Sequence, residues 1–298
     1  MLAIDWGTTT ARAYAMDREG RIREARSAPL GVQRVASGEF AQALKSLCGD
    51  ELSADVPLLA CGMIGSRQGW VEAPYFACPA DFGAIAARLT PVPNTALAIV
   101  PGLICHDDHG IADVMRGEET QILGAVDDAV SARQVVLLPG THSKWAVIGA
   151  EGIEAFSTFM TGELYALLIE HSILGRLSAP GSDDAALARG VRHSLRAGAA
   201  ITHDLFSART LALTDALAPA GVSDYLSGLL LGAEIAAARQ WLQRMRLVAT
   251  RLTLVGAPAL VRSYRMALAI AEIDADIGAE DAAARGLWRI ARHAGLVE

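Results

Sequence analysis

Short apolar runs and longer stretches with a helical repeat alternate along this chain. Leu2-Ala3-Ile4-Asp5-Trp6 reads as a strand and Arg12 to Met16 as a second, with Gly7-Thr8-Thr9-Thr10 between them. The turn Asp17-Arg18-Glu19-Gly20 leads into a third strand. The same order returns later. Val135-Val136-Leu137-Leu138 is followed by the turn Gly140-Thr141-His142-Ser143, the strand Trp145-Ala146-Val147-Ile148, the turn Gly149-Ala150-Glu151-Gly152 and a strand from Ile153 to Phe159. Gly7 to Gly20 is 13 residues, Gly140 to Gly152 is 12, and the two glycine turns stand 133 residues apart. Two matched copies of strand, Gly-Thr turn, strand, turn, strand predict a duplicated domain.

Each copy is followed by helical patterns. Asp81 is placed to cap a helix with Phe82, Ile85, Ala86 and Leu89 on one face. Val56 to Ala60 and Ala96 to Val100 read as strands that complete the first half. In the second half Leu164, Leu167, Leu168 and Ile173 mark an apolar helix, and Tyr225 to Leu242 a long one. Leu252-Thr253-Leu254-Val255 reads as a buried strand ending in Gly256-Ala257-Pro258 and then a helix, and Asp281 to His293 as the last helix. Strands alternating with helices predict the α/β class.

Composition narrows the function. With 298 residues and 52% hydrophobic positions the chain has enough apolar surface for a large core. A net charge of −7 disfavours a general nucleic-acid binder. No run of about 18 apolar residues lacks a charge, and the acid at Asp5 does not suit a secretory leader. The expectation is therefore a cytoplasmic protein without membrane or nucleic-acid partners. Cys48, Cys61, Cys78 and Cys105 include no C-x-x-C spacing, so they are expected to be reduced. Cys105-His106-Asp107-Asp108-His109 has metal-binding residue types, but no second ligand cluster accompanies it, and a polar loop between a strand and a helix is the preferred reading. Trp241 and Trp288 read as packing residues, and His171, His193, His203 and His293 as helix-surface histidines.

The two Gly-Thr turns carry the candidate chemistry. Asp5 at a strand end can hold Mg²⁺, directly or through water. Gly7 beside it lets backbone N–H groups approach a phosphate, and Thr8 and Thr9 add hydroxyl donors. Gly140-Thr141-His142-Ser143-Lys144 again offers glycine and hydroxyls, now with a cation, Lys144 being one of only two lysines. Two such turns from related halves suit a clamp on one polyphosphate. Between them lies Arg116-Gly117-Glu118-Glu119-Thr120. Adjacent residues of a helix sit about 100° apart, so one carboxylate is free to serve chemistry while the other caps or pairs. Compensation of the helix N-terminus suits Glu119 somewhat better than Glu118.

The Asp5-x-Gly7-Thr8-Thr9 turn, the Gly140-Thr141 turn and Val255-Gly256-Ala257-Pro258-Ala259-Leu260 stand in the order of the phosphate 1, phosphate 2 and adenosine motifs, which resembles the actin, sugar-kinase and Hsp70 superfamily. Gly117-Glu118 followed by Gly124-Ala125 looks like the Gly-Asp segment that supplies the catalytic base in glycerol-kinase-like enzymes, with Glu in place of Asp. The closer resemblance is to the 2-dehydro-3-deoxygalactonokinase family. Ile4 to Thr9, Cys61 to Trp70, Met115 to Gln121, Leu138 to Trp145 and Met160-Thr161-Gly162-Glu163-Leu164 carry it, and together they span most of the chain.

That resemblance implies phosphorylation of the 6-hydroxyl of 2-dehydro-3-deoxy-D-galactonate by ATP with Mg²⁺, in galactonate breakdown. It implies two ribonuclease-H-like domains flanking a nucleotide cleft: residues 1–130 on the sugar side and 131–298 on the nucleotide side, the last helix being free to pack back on the first domain. It assigns metal anchoring to Asp5 and proton removal to Glu118. Phosphates fall to Gly7, Thr8, Thr9, Gly140, Thr141, His142 and Lys144, and adenine to Gly256, Ala257 and Pro258. Because such a substrate is an anion, Ser66, Arg67, Gln68 and Trp70 are expected around it, Arg67 as a fork for the carboxylate. Gly31 and Val32 are further candidates for the sugar pocket, and Thr161 for an approach to substrate or phosphate. Two rival readings are a kinase of another keto-deoxy acid or a neutral sugar, and a non-enzymatic actin-like sensor ATPase. The sequence leaves the oligomeric state open, with a homodimer among the options.

Overall fold

The computed structural model describes residues 1–51, 56–127, 132–197, 200–247 and 251–298. In chain order the first elements are β1 (Leu2–Trp6), β2 (Ala11–Met16), β3 (Ile22–Ala28), α1 (Phe40–Cys48), β4 (Leu58–Gly62), β5 (Phe76–Ala77), α2 (Phe82–Ala86), β6 (Thr90–Pro91), β7 (Leu97–Ile99), β8 (Leu103–His106), β9 (Ala112–Met115) and α3 (Glu118–Ala125). There follow β10 (Gln134–Leu138), β11 (Ser143–Gly149), β12 (Gly152–Phe159), α4 (Thr161–His171), α5 (Asp184–Ala197), α6 (Ile201–Asp204), α7 (Phe206–Leu213), α8 (Val222–Arg244), β13 (Leu252–Leu254), α9 (Pro258–Ile270), β14 (Asp276–Ile277) and α10 (Ala282–His293). The chain divides into two compact units, one of residues 1–133, 146–156 and 279–298, the other of 134–145 and 157–278.

The repeat seen in the sequence is a repeat of sheet order. One sheet runs β3-β2-β1-β4-β7-β6 and another β12-β11-β10-β13-β14. In the first, β1 pairs antiparallel with β2 and parallel with β4, and β4 pairs parallel with β7. In the second, β10, β13 and β14 pair in parallel. This is the α/β fold with a doubled ribonuclease-H-like strand order that the resemblance implies. Parallel strands need crossovers, and the apolar faces of the intervening helices cover them.

In the first unit, Ile4, Trp6, Ala60, Ile64, Leu97 and Ile99 form a core with Phe40, Leu44 and Leu47 of α1. Trp70 is drawn into its edge and stacks on Phe40 at a centroid distance of 6.1 Å. The last helix packs on α3, α2, β1 and β4, burying Ala283, Leu287 and Ile290. A bulky Trp288 fits because Gly20 offers it a turn without a side chain: a Cβ there would lie 2.6 Å from the indole. In the second unit, Val135, Leu137 and Trp145 meet Leu231, Ile235, Val261 and Leu268 of α8 and α9, and Trp241 packs at the margin. A satellite core joins α5, α7 and α8 through Ala186, Ala208, Leu217, Tyr225 and Leu229.

Several local expectations are corrected. The segment Cys105 to His109 ends β8 and turns into β9, so it links two strands of a small sheet, β5-β8-β9, that periodicity did not reveal. Asp107 closes that turn by accepting the N–H groups of His109 and Ile111. Among the described residues no cluster of three metal-ligating side chains is present there or elsewhere. Asp81 does cap α2, accepting the N–H of Ala84 at 2.7 Å, but the helix ends at Ala86 and Leu89 lies beyond it. Thr90 precedes Pro91, which disfavours helical backbone and turns the segment into β6. The apolar α4 hides none of its residues completely, and Leu164 and Leu167 are 43% and 45% exposed. His193 is engaged on both nitrogens, with Tyr225 at 3.1 Å and Asp204 at 3.3 Å. No helix among the described residues is long and apolar enough to cross a membrane.

Candidate active site

In the first unit the ends of β1 and β4 and the start of α3 converge. Strand register places Asp5 beside Arg12 on β2 and Cys61 on β4. The close approach depends on small residues. Gly62 has φ +90°, and a Cβ there would stand 2.7 Å from the Trp6 carbonyl. Gly117, the residue before α3, has φ +106°, and its Cβ would meet the Gly62 backbone at 3.0 Å. Both conformations favour glycine, and both surfaces exclude a side chain. The result brings Glu118 and Glu119 up to the C-terminal ends of β1 and β4.

The carboxylates differ in setting. Asp5 pairs with Arg12 at 3.2 Å. Burial raises its pKa; Arg12 opposes that shift and the charge of Glu118 adds to it. Glu118 is half-buried and accepts the Arg116 backbone N–H at 2.9 Å. Glu119 is completely buried and accepts the Gly117 N–H at 2.7 Å and the Thr120 hydroxyl at 3.1 Å. Burial first, and the Glu118 charge second, push Glu119 up to about 8. Cys61 is shut away beneath them, its thiol raised well above the ordinary range by burial and then by Asp5 and Glu119. Of the two adjacent acids, therefore, only Glu118 retains exposure.

The first Gly-Thr turn is held from behind. Gly7 donates to the Thr10 carbonyl, while Val32 and Gln33 donate to the Gly7 and Thr8 carbonyls at 3.0 and 3.1 Å. Gly31 lies against the Thr8-Thr9 backbone so closely that a Cβ would sit at 2.3 Å. Thr8 and Thr9 themselves are exposed. Gly31 and Val32 thus support this turn, with the Val32 side chain in the core instead of lining a pocket.

The expected acid-binding loop follows β4. Arg67 and Gln68 are exposed, and Arg67 pairs with Glu72 at 3.1 Å. Ser66 Oγ is buried without a hydrogen-bond partner among the described residues, and Trp70 presents one face to Phe40. Arg116 is a residue that sequence reasoning passed over. Its guanidinium donates to the Ala73 carbonyl at 2.8 Å and lies over Tyr75 at 4.4 Å, with Nε and Nη1 buried and unpartnered. The only sequence signal was its place directly before Gly117-Glu118.

In the second unit the Gly140 turn sits between β10 and β11. Thr141 and His142 are exposed, whereas Lys144 is buried in β11 at 3% exposure. The start of α4 is packed against this turn. Glu163 donates its backbone N–H to the Thr141 carbonyl at 3.0 Å, and its side chain meets His142 Nε2 at 2.5 Å. Gly162 makes that possible, since a Cβ would fall 2.4 Å from the Gly140 carbonyl. Gly256 lies beside Pro139, with Ala257 and Pro258 exposed at the start of α9. The Gly140 and Gly256 turns therefore lie at neighbouring strand ends, because β10 and β13 pair in parallel.

Known proteins resemble this chain over nearly its whole length. Residues 5–290 match the family model for 2-keto-3-deoxy-galactonokinase. The 2-dehydro-3-deoxygalactonokinase of Escherichia coli K12 is 36% identical over 295 residues, covering 98% of this chain and 97% of that one. A crystal structure of a Sinorhizobium meliloti protein assigned as a 2-dehydro-3-deoxygalactonokinase superposes with a TM-score of 0.88 at 35% identity, covering 98% of each chain. With the match running through both glycine turns and the Glu118 segment, this chain belongs to the 2-keto-3-deoxy-galactonokinase family.

Proposed function

We propose that this protein transfers the γ-phosphoryl group of ATP to the 6-hydroxyl of 2-dehydro-3-deoxy-D-galactonate. The observation that carries this reading is the juxtaposition of Asp5 and Glu118 at the strand ends, with the Glu118 charge felt at Asp5, in a chain of this family. Glu118 keeps the exposure needed to meet a hydroxyl.

In this reading the sugar oxygen attacks the γ-phosphorus and forms the new O–P bond. Its proton passes to Glu118, and the electron pair of the breaking bond leaves with ADP. A carboxylate in hydrogen-bond reach is a competent acceptor for such a proton. Asp5 suits a hydrated Mg²⁺. It is a carboxylate that burial and a neighbouring acid drive toward protonation, and Mg²⁺ is commonly held by one or two carboxylates together with substrate phosphates and water. When bound, that ion would neutralise phosphate charge. The amides and hydroxyls of Gly7, Thr8 and Thr9, and those of Gly140, Thr141 and His142, serve the phosphates. Gly256, Ala257 and Pro258 serve the adenine. Arg67, exposed and paired with Glu72 at the surface, serves the sugar carboxylate beside Ser66, Gln68 and Trp70. The sugar-contacting residues then all precede residue 131.

The test is ADP release with a panel of 2-keto-3-deoxy sugar acids and neutral sugars, with and without Mg²⁺. Turnover is expected with the galactonate derivative and to require Mg²⁺. Equal turnover with a neutral sugar would remove the acid-specific reading. Gly140→Ala probes the nucleotide assignment cleanly. The nearest atoms to a Cβ there are 4.0 Å away, so the fold accepts the methyl, while a phosphate approaching the turn does not. Its expected effect is a raised KM for ATP.

A further inference from the structure

Beneath the Gly140 turn lies a buried carboxylate that the reaction as described leaves unused. Glu234, in the middle of α8, is 3% exposed. Its Oε1 accepts the indole N–H of Trp145 at 2.8 Å. Its Oε2 accepts the hydroxyls of Tyr264, at 2.8 Å, and Thr161. Because the Tyr264 proton is committed to Glu234, Ser143 donates onward to the Tyr264 oxygen at 2.6 Å.

The origin of these donors is informative. Ser143 and Trp145 begin β11 directly after Gly140-Thr141-His142. Thr161 is the first residue of α4, and the adjoining Gly162 and Glu163 pack on Gly140 and Thr141. Tyr264 belongs to α9, which starts at Pro258 directly after Gly256-Ala257. One carboxylate therefore braces three backbone segments: the Gly140 turn and the start of α9, which the proposed function assigns to phosphate and adenine, and the start of α4, which packs on the Gly140 turn. A core that needed only stability would be served as well by apolar groups of the same shape, since burying a charge carries a large desolvation cost. A set of donors converging on one buried acceptor fixes relative position, because every donor would be left unsatisfied if its segment moved.

We infer that Glu234 is the positioning residue of the nucleotide site, acting through Ser143, Thr161 and Tyr264 to hold the Gly140 turn and the starts of α4 and α9 in register for the phosphates and adenine of ATP. This rests on the proposed assignment of ATP to the Gly140 and Gly256 turns. Glu234 itself touches no substrate.

The experiment compares steady-state kinetics and ADP binding for the full-length wild type, Glu234→Gln, Tyr264→Phe, Gly140→Ala and the control Ser194→Ala. Glutamine keeps the size of Glu234 but turns an amide toward hydroxyls that already donate. Glu234→Gln is expected to raise the ATP KM and the ADP Kd about 10–100-fold, leaving the sugar-acid KM within about twofold. Tyr264→Phe is expected to shift the same constants in the same direction by less. Ser194 is buried in the same unit and donates to the Leu229 carbonyl at 2.7 Å, away from the turn, so Ser194→Ala is expected to lower Tm without changing the ATP KM. If Glu234→Gln does not fold, Tyr264→Phe carries the test, and an ATP KM unchanged in it overturns the inference. So does a Glu234→Gln enzyme whose sugar and ATP constants rise together. If Gly140→Ala raises the ATP KM and Glu234→Gln does not, the inference fails alone. If neither variant moves it, the assignment of nucleotide to the turn fails, and the inference with it.

Discussion

The two units each bury carboxylates, and they treat them in opposite ways. Glu234 in the second unit receives an indole N–H and two hydroxyls, with a fourth donor passing its bond through Tyr264. In the first unit Asp5, Glu118 and Glu119 come together at the strand ends, where the charge of Glu118 acts on both of the others. Asp5 has Arg12, and the two glutamates share backbone N–H groups of the preceding turn and the Thr120 hydroxyl. Burial raises the pKa at both places. Hydrogen-bond donors work against that shift at both, but at Glu119 the charge of the neighbouring Glu118 adds to it. The difference teaches that a carboxylate whose donors come from separate segments fixes geometry, while acids set beside one another are poised to take a proton or a cation.

The sharpest way to break this contrast is to remove one basic oxygen from the set in the first unit. Glu118→Gln is expected to lower kcat by roughly 10²–10⁴ with little change in ATP affinity. Glu119→Gln, whose parent is buried out of reach of any substrate, should lose far less. Measured with circular dichroism to confirm folding, a dead Glu119→Gln beside a healthy Glu118→Gln would exchange the two roles.

Asp5→Asn follows in size. If Asp5 holds the ion through its water shell, the apparent Mg²⁺ affinity should fall about 10–100-fold. A Mg²⁺ titration of turnover that superposes on the wild type would remove Asp5 from the metal.

A third effect concerns pH. Glu119 is raised from 4.5 to about 8, so the folded state holds a proton that the unfolded state releases. Its stabilising contribution is full below about 4.5 and is lost as pH rises through 8. The Tm of the wild type is therefore expected to fall between pH 5 and pH 8.5, and Glu119→Gln to flatten that fall. Parallel Tm profiles for the two proteins would show that the buried acid is not held neutral.

The smallest effect belongs to a residue outside both sets. Arg67 pairs with Glu72 on the surface, and such pairs contribute about 0–1 kcal/mol, so Arg67→Leu should leave Tm nearly unchanged. Its expected signature is a raised KM for the sugar acid at constant ATP KM. A rise in the ATP constant alone would move Arg67 to the nucleotide side.

Much of this protein is legible in its sequence. Strand runs, glycine turns and their recurrence come from local periodicity, which depends only on neighbours in the chain, and β1, β2, β10 and β11 lie where that pattern puts them. The motif order, joined to resemblance, was enough to reach the family. The tertiary structure decided what periodicity cannot encode. It showed that α4 is apolar yet exposed, that the Cys105–His109 segment turns between two strands, and that Val32 and Trp70 face the core. It also decided which of two adjacent glutamates keeps contact with solvent, a question of what packs above α3. Glu234 had no sequence signal of its own, and Arg116 only its place before Gly117-Glu118, because their donors and acceptors are supplied by segments far away in the chain. Periodicity records which face of an element is apolar; only packing in three dimensions determines which buried charge meets its partners and which is left with a neighbour of the same sign.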